Sequence, residues 1–205
     1  MGLDIYVLGS GPSLQHIPLD FWQGKVIVST NHGCTLRGIK PDYLVTKYHH
    51  HAREYAERFP ASRIVVTRHD RGDVNQPQIE PGPWIVLDHD QNLCERWDGQ
   101  WPEAGKFLVT FSTITTAMHW AMHLGARNII LAGHDCGWIG ESGRVDGYRR
   151  DSEGHGRDDD SHLWSTFSAQ TAVVKQQLWD RFGVTVTSVN PFINLGLEGH
   201  EYRKA

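Results

Sequence analysis

The stretch Gly9-Ser10-Gly11-Pro12-Ser13-Leu14 is the first place in the chain where residue types suggest chemistry. It follows an apolar run. Gly9 permits a tight turn, and Gly11 lets backbone approach a ligand without a Cβ in the way. Pro12 can open a helix, because the N–H it lacks would be unpaired there anyway. Ser13 adds a hydroxyl beside the same N-terminus. A turn of this kind can cradle a phosphate with its main-chain N–H groups, or it can serve only as a tight strand-to-helix connection.

The turn departs from two well-known phosphate motifs. Leu14 stands where the dinucleotide fingerprint has its third glycine. The second apolar run ends Ser29-Thr30-Asn31-His32-Gly33, with no carboxylate to take a ribose hydroxyl, which argues against an NAD enzyme. No lysine follows Gly11 as a P-loop requires. Asn31 can donate to and accept from a nucleotide, or it can only shape the turn with Gly33. Cationic help must come from elsewhere, with Lys47, Arg149 and Arg150 as candidates.

Further along, Leu131-Ala132-Gly133-His134-Asp135 closes another apolar run. Asp135 at its end could bind a sugar hydroxyl, hold a metal ion on phosphates, or cap the following segment. Asp158-Asp159-Asp160-Ser161-His162 precedes the longest helical segment. The acids suit a helix N-terminus. His162 beside them is a candidate general base, since its pKa lies near neutrality. His119 and His123 share a helix face, but Trp120 stands where a metalloprotease needs glutamate, so packing is expected of them. Gly-x-Ser-x-Gly and Cys-x-x-Cys are both missing from the sequence.

These residues need a frame that brings strand ends together. Seven short, β-branched runs supply it: 4–8, 26–29, 43–46, 63–67, 84–87, 128–132 and 184–187. Continuous apolar runs of this length suit strands buried on both faces of a parallel sheet. Helices are predicted over 50–59, over 112–124 with Ser112 as cap and Gly125 as stop, and over 163–182 closed by Gly183. The alternation predicts an α/β fold, Rossmann-like and doubly wound, with a mostly parallel sheet in a single domain over 1–205. Residues 140–160 are poor in aliphatics and read as a lid or a mobile loop. In such a sheet, ligands bind beyond the carboxyl ends of the strands.

The bulk composition narrows the function classes. With 39% hydrophobic residues among 205, the chain can bury a core without a metal or disulfide scaffold. A net charge of -4 argues against a nucleic-acid partner. No apolar run approaches the ~20 residues of a membrane span. Three scattered cysteines, Cys34, Cys94 and Cys136, fit reduced thiols and a cytoplasmic location.

In this order the motifs resemble the archaeal-type 6-hydroxymethylpterin pyrophosphokinase-like family. The chain is also similar to the related bacterial sialyltransferases that decorate lipooligosaccharide. The resemblance rests on the Gly-x-Gly-Pro-Ser-Leu turn, on Leu124-Gly125 followed by Ile129 to Asp135, on Pro41-Asp42-Tyr43, and on the late Asn190-Pro191 segment. It implies a nucleotide in the cleft, with Gly9, Ser10, Gly11, Pro12, Ser13, Asn31, Lys47, Ser112, Thr113 and Asn190 around it. Ser112 and Thr113 would bind phosphate through backbone N–H groups. Asp158 to His162 matches the sialyltransferases' Asn-Asp-Asn-Ser-His stretch. Thr166 stands where those enzymes carry a catalytic histidine, Leu163 and Trp138 where they carry tyrosines, and Ile114 where the family has glycine.

The expected function is therefore a nucleotide-dependent transferase, a sialyltransferase-like glycosyltransferase that uses a nucleotide-sugar donor, with His162 or Asp135 as base. The alternatives are a pyrophosphokinase acting on a pterin-like alcohol, with Mg²⁺ on Asp135, Asp158 and Asp160, and a catalytically inactive nucleotide-binding module. No tightly bound cofactor is expected. The acceptor is a glycan or another small molecule, and a homo-oligomer is compatible with the sequence.

Overall fold

All seven β-branched runs become strands: β1 (Leu3–Leu8), β2 (Val26–Thr30), β3 (Tyr43–Tyr48), β4 (Arg63–His69), β5 (Trp84–Leu87), β6 (Ala126–Ala132) and β7 (Thr185–Ser188). The computed structural model describes residues 2–48, 50–69, 81–89, 97, 99–137 and 161–189. Three helices of eight residues or more lie among them: α1 (His50–Arg58), α2 (Thr113–His123) and α3 (Ser161–Phe182). The predicted caps form. Ser112 Oγ accepts from the Ile114 N–H, and Gly125 ends α2 at φ +91°. Gly183, at φ +64°, closes α3: its N–H donates to Trp179 O, and the Val184 N–H donates to Leu178 O. The Gly183 bond, from the residue after the helix to Trp179 O, is that of an αL cap.

Every strand pairing is parallel, and the sheet order is β5-β4-β3-β2-β1-β6-β7. The chain winds outward from β1 to β5, then returns to place β6 on the other side of β1. This is a doubly wound, Rossmann-like α/β domain with its reversal between β1 and β6.

Side chains alternate across the sheet, so each face builds its own core. Val7, Val28, Val45, Val65, Ile129 and Leu131 pack under α2 and α3, together with Ile114, Met118, Val174 and Leu178. On the opposite face, Leu8, Ile27 and Ala132 meet Leu14 and Trp22, while Leu44, Ile64 and Val66 meet Ala52 and Tyr55 of α1. Each fully buried aliphatic contributes about 2 kcal/mol of transfer free energy.

One expectation needs correction: β5 is not buried on both faces, because it is an edge strand, and Ile85 and Val86 are exposed. Pro12 opens a helical segment, which is a short 3-10 helix over Pro12–His16. Pro18 explains its brevity. The residue before a proline is pushed out of the helical region, and Ile17 is extended at φ -95°, ψ 123°. The predicted lid at 140–160 lies outside the described residues.

Candidate functional site

The strand order reverses between β1 and β6, and doubly wound folds bind ligands at the carboxyl edge of the sheet beside such a reversal. Six features lie at this edge: the turn after β1, the end of β2 with Asn31, the end of β3 with Lys47, the turn after β6 with Asp135, and the N-termini of α2 and α3. The helices arrive there because each precedes a parallel strand and must run back along the sheet first.

The first turn and the β6 turn are locked together. Gly9 N–H donates to Ala132 O at 2.8 Å and Gly11 N–H to Gly133 O at 2.7 Å. Ser13 gives Asp135 two bonds, from its N–H to Oδ2 at 2.7 Å and from its hydroxyl to Oδ1 at 2.5 Å. Both residues are buried. The glycines are required by this contact: a Cβ on Gly9 would lie 2.2 Å from Gly133 O, and one on Gly11 would lie 2.5 Å from Asp135 Oδ2.

This geometry corrects the expected manner of phosphate binding. The amides of Gly9, Gly11 and Ser13 are engaged within the chain, and the anion at the start of the 3-10 turn is the Asp135 carboxylate. The physical logic of an anion at a helix start holds, but the protein supplies the anion. Each Asp135 oxygen accepts one bond from Ser13, which holds the carboxylate in place and leaves it further lone pairs. Among the described residues, no group of three or more metal-ligating side chains assembles. Asp158, Asp160 and Asn190 lie outside the described residues.

Asn31 adopts φ +52°, a left-handed conformation that asparagine tolerates better than most residues. Its N–H donates to Val45 O at 2.9 Å, and its carbonyl accepts from Ser29 Oγ. It therefore shapes the turn. Its side-chain amide makes no hydrogen bond among the described residues, which leaves it suited to a ligand as well.

Lys47 is buried rather than held out toward solvent. Its ammonium donates to Thr110 O at 3.1 Å and Phe111 O at 2.7 Å, directly ahead of α2. Thr110 Oγ1 and Thr115 Oγ1 are 2.8 Å apart, and Thr115 Oγ1 also donates to Ser112 O. Ser112 and Thr113 are half-buried at the helix start, where first-turn N–H groups have no intrahelical acceptor.

α3 forms a wall that sequence reasoning missed. Its 22 residues outrun the strands. Thr171 lies level with the end of β6, where its Oγ1 is 2.9 Å from His134 Nε2. The ten residues before it extend about 15 Å further along the helix, beyond the sheet edge. His162 is the second residue of α3, and its side chain lies outside the described part; Thr166 is half-buried on the same segment. The length of the helix predicted over 163–182 was the available signal.

His134 is the other residue that sequence reasoning left without a role. Thr171 donates its hydroxyl proton to Phe167 O at 2.8 Å, so its oxygen accepts from His134, which fixes the Nε2–H tautomer. Burial pushes the His134 pKa down to about 4. Cys136 Sγ lies 3.7 Å from Nε2, and burial together with the Asp135 charge pushes its thiol up to about 12. Thiol and imidazole are thus both neutral, and the pair is not an activated nucleophile.

His119 and His123 pack, as expected. His119 Nδ1 accepts from the Leu108 N–H at 2.9 Å, and its ring contacts Trp101 and Phe107. His123 stacks on Trp120.

Solved structures share this fold. The chain is similar to the sialyltransferase CST-II, solved with a trisaccharide acceptor and CMP, at 12% identity over 97% of this chain and 86% of that one, with a TM-score of 0.53. It is also similar to the monofunctional alpha-2,3-sialyltransferase Cst-I from Campylobacter jejuni, at 13% identity over 98% of this chain and 81% of that one, with a TM-score of 0.54. No family model matches the chain, and no curated protein matches it in sequence. The likeness is one of fold, and it runs almost end to end. No described helix is long and apolar enough to cross a membrane.

Proposed function

We propose that this chain is a sialyltransferase-like glycosyltransferase that takes a nucleotide-sugar beside the β1/β6 reversal and passes the sugar to a hydroxyl acceptor. The observation that carries the reading is the fold: its strand order reverses between β1 and β6, and it is shared over 97% of this chain with an enzyme solved holding CMP and a trisaccharide. In this reading the donor phosphate meets the first amides of α2 at Ser112 and Thr113, assisted by the Ser10 hydroxyl, and Asn31 contacts the nucleoside. Gly9, Gly11, Pro12 and Ser13 hold the floor together with Asp135.

The transfer breaks the bond between the sugar's anomeric carbon and the phosphate oxygen, and forms one from that carbon to the acceptor oxygen. The departing phosphate gains negative charge, which fixed N–H dipoles stabilise without reorganising. The acceptor proton goes to His162, the imidazole on the first turn of α3, with Asp135 buried in its clamp with Ser13. The donor is the carrier of reactivity, so no tightly bound cofactor is required. No observation favours the pyrophosphokinase reading over this one.

The test is thermal shift and calorimetry with CMP, CDP, UDP and ATP, with and without Mg²⁺, followed by an assay of nucleotide-sugar hydrolysis. Metal-independent binding of a pyrimidine nucleotide and slow donor hydrolysis are expected. Stabilisation by ATP only with Mg²⁺ would replace the reading with pyrophosphoryl transfer. Binding without turnover would leave a nucleotide-binding module, and no binding at all would refute the reading.

A further inference from the structure

The short segment from Thr110 to Ser112, directly ahead of α2, is held by side chains from several elements. The Phe111 N–H donates to Gln170 Oε1 of α3 at 3.1 Å. Its carbonyl accepts from the buried Lys47 ammonium at 2.7 Å, and the preceding carbonyl, that of Thr110, accepts from the same group at 3.1 Å. Ser112 O accepts from Thr115 Oγ1 at 2.7 Å, and Ser112 Oγ accepts from the Ile114 N–H. Lys47 comes from β3, Gln170 from α3, and Thr115 from α2, so three separate elements converge on one turn.

A carbonyl that accepts a charged hydrogen bond polarises its own peptide, and hydrogen bonds in series strengthen one another in a low-dielectric interior. The other end of the Phe111 carbonyl's peptide is the Ser112 N–H. The Lys47 charge is therefore transmitted through that amide to the donor at the mouth of α2, where the helix dipole already favours an anion.

We propose that Lys47 is a positioning residue for anion binding at the start of α2: it strengthens and orients the Ser112 N–H through the Phe111 carbonyl, with Gln170 fixing the same turn from the opposite side, and does not itself touch the ligand phosphate. This rests on the reading above, in which that N–H meets the donor phosphate. It assigns Lys47 a different role from the direct phosphate contact that its place at the end of β3 suggests.

The experiment compares wild type, Lys47→Met, Lys47→Arg and Gln170→Leu with two probes, CMP and cytidine, which differ only in the phosphate. Wild type that binds neither probe, nor UDP or ATP, refutes the functional reading and the proposal with it. Where wild type binds CMP, Lys47→Met should weaken CMP roughly five- to tenfold and leave cytidine unchanged. Lys47→Arg, which still donates to the carbonyls, should recover most of the loss. Equal weakening of both probes, or of neither, would overturn the proposal. The second readout separates transmission from contact: in the ligand-free protein, the Ser112 amide proton should move upfield in Lys47→Met by NMR. A Ser112 resonance that stays in place while CMP affinity falls would mean that Lys47 touches the phosphate directly. Should Lys47→Met fail to fold, Gln170→Leu carries the same CMP-against-cytidine test, with the same outcomes decisive.

Discussion

Asp135 illustrates how one residue can satisfy a motif's electrostatics in an unexpected way. A carboxylate at the start of a helical turn accepts strong, charge-assisted bonds, and here it accepts two from Ser13 while buried. Removing the carboxylate leaves a buried N–H and hydroxyl without their acceptor. Asp135→Ala should therefore destabilise the protein by about 3 kcal/mol, and Ser13→Ala, which deletes only the hydroxyl bond, by about 1–2 kcal/mol. Urea denaturation of both variants measures this. A loss under about 0.5 kcal/mol for Asp135→Ala would mean that the clamp contributes nothing net. The position of Asp135 at a strand end was legible from Leu131-Ala132-Gly133-His134-Asp135, because a β-branched run must deliver the next residues to the sheet edge. Its partner was not legible. Ser13 and Asp135 are 122 residues apart, and only the placement of β6 against β1 makes them neighbours.

At the scale of elements, the glycines separate into two physical kinds. Gly183 closes α3 at φ +64°, and a Cβ added there would meet nothing within 4 Å, so its requirement is conformational alone. Gly9 has ordinary backbone, but a Cβ on it would lie 2.2 Å from Gly133 O, so its requirement is steric. Gly183→Ala should cost about 1 kcal/mol, the usual penalty for a left-handed alanine. Gly9→Ala should cost clearly more, because backbone must move and the β1 turn must separate from the β6 turn. Thermal melts of the two variants decide it, and the reverse order would refute the close packing of the turns. Sequence reading placed all seven strands and the caps at Ser112, Gly125 and Gly183, since period, capping chemistry and glycine stops are local signals. It overestimated burial of β5, because whether a strand lies at an edge is set by sheet order, which no local pattern records. Nor could it show where the Lys47 ammonium lies, since a lysine at a strand end looks the same whether it reaches solvent or folds back onto Thr110 and Phe111.

At the scale of the whole molecule, two of the buried histidines, His119 and His134, shape how stability responds to acid. His134 sits between β6 and α3, and His119 pins the Leu108 backbone to α2. Burial lowers the pKa of each from 6.5 to about 4, with His123 adding to the effect at His119. The unfolded chain binds protons at both sites below pH 6.5, whereas the folded chain resists until about 4. Proton uptake on unfolding therefore makes stability fall as pH drops through that interval, and the effect is complete below the folded values. Each site removes up to about 3 kcal/mol, a large part of an ordinary domain's margin. The groups facing the rings decide which replacements isolate this term. Asparagine at 119 keeps an acceptor for the Leu108 N–H, and glutamine at 134 keeps a donor for Thr171. The double variant His119→Asn/His134→Gln should be less stable than wild type at pH 7 but lose less stability between pH 6.5 and 4, as measured by urea midpoints across that range. Parallel pH profiles for the two proteins would show that both imidazoles titrate as freely in the folded state as in the unfolded one, contrary to their burial.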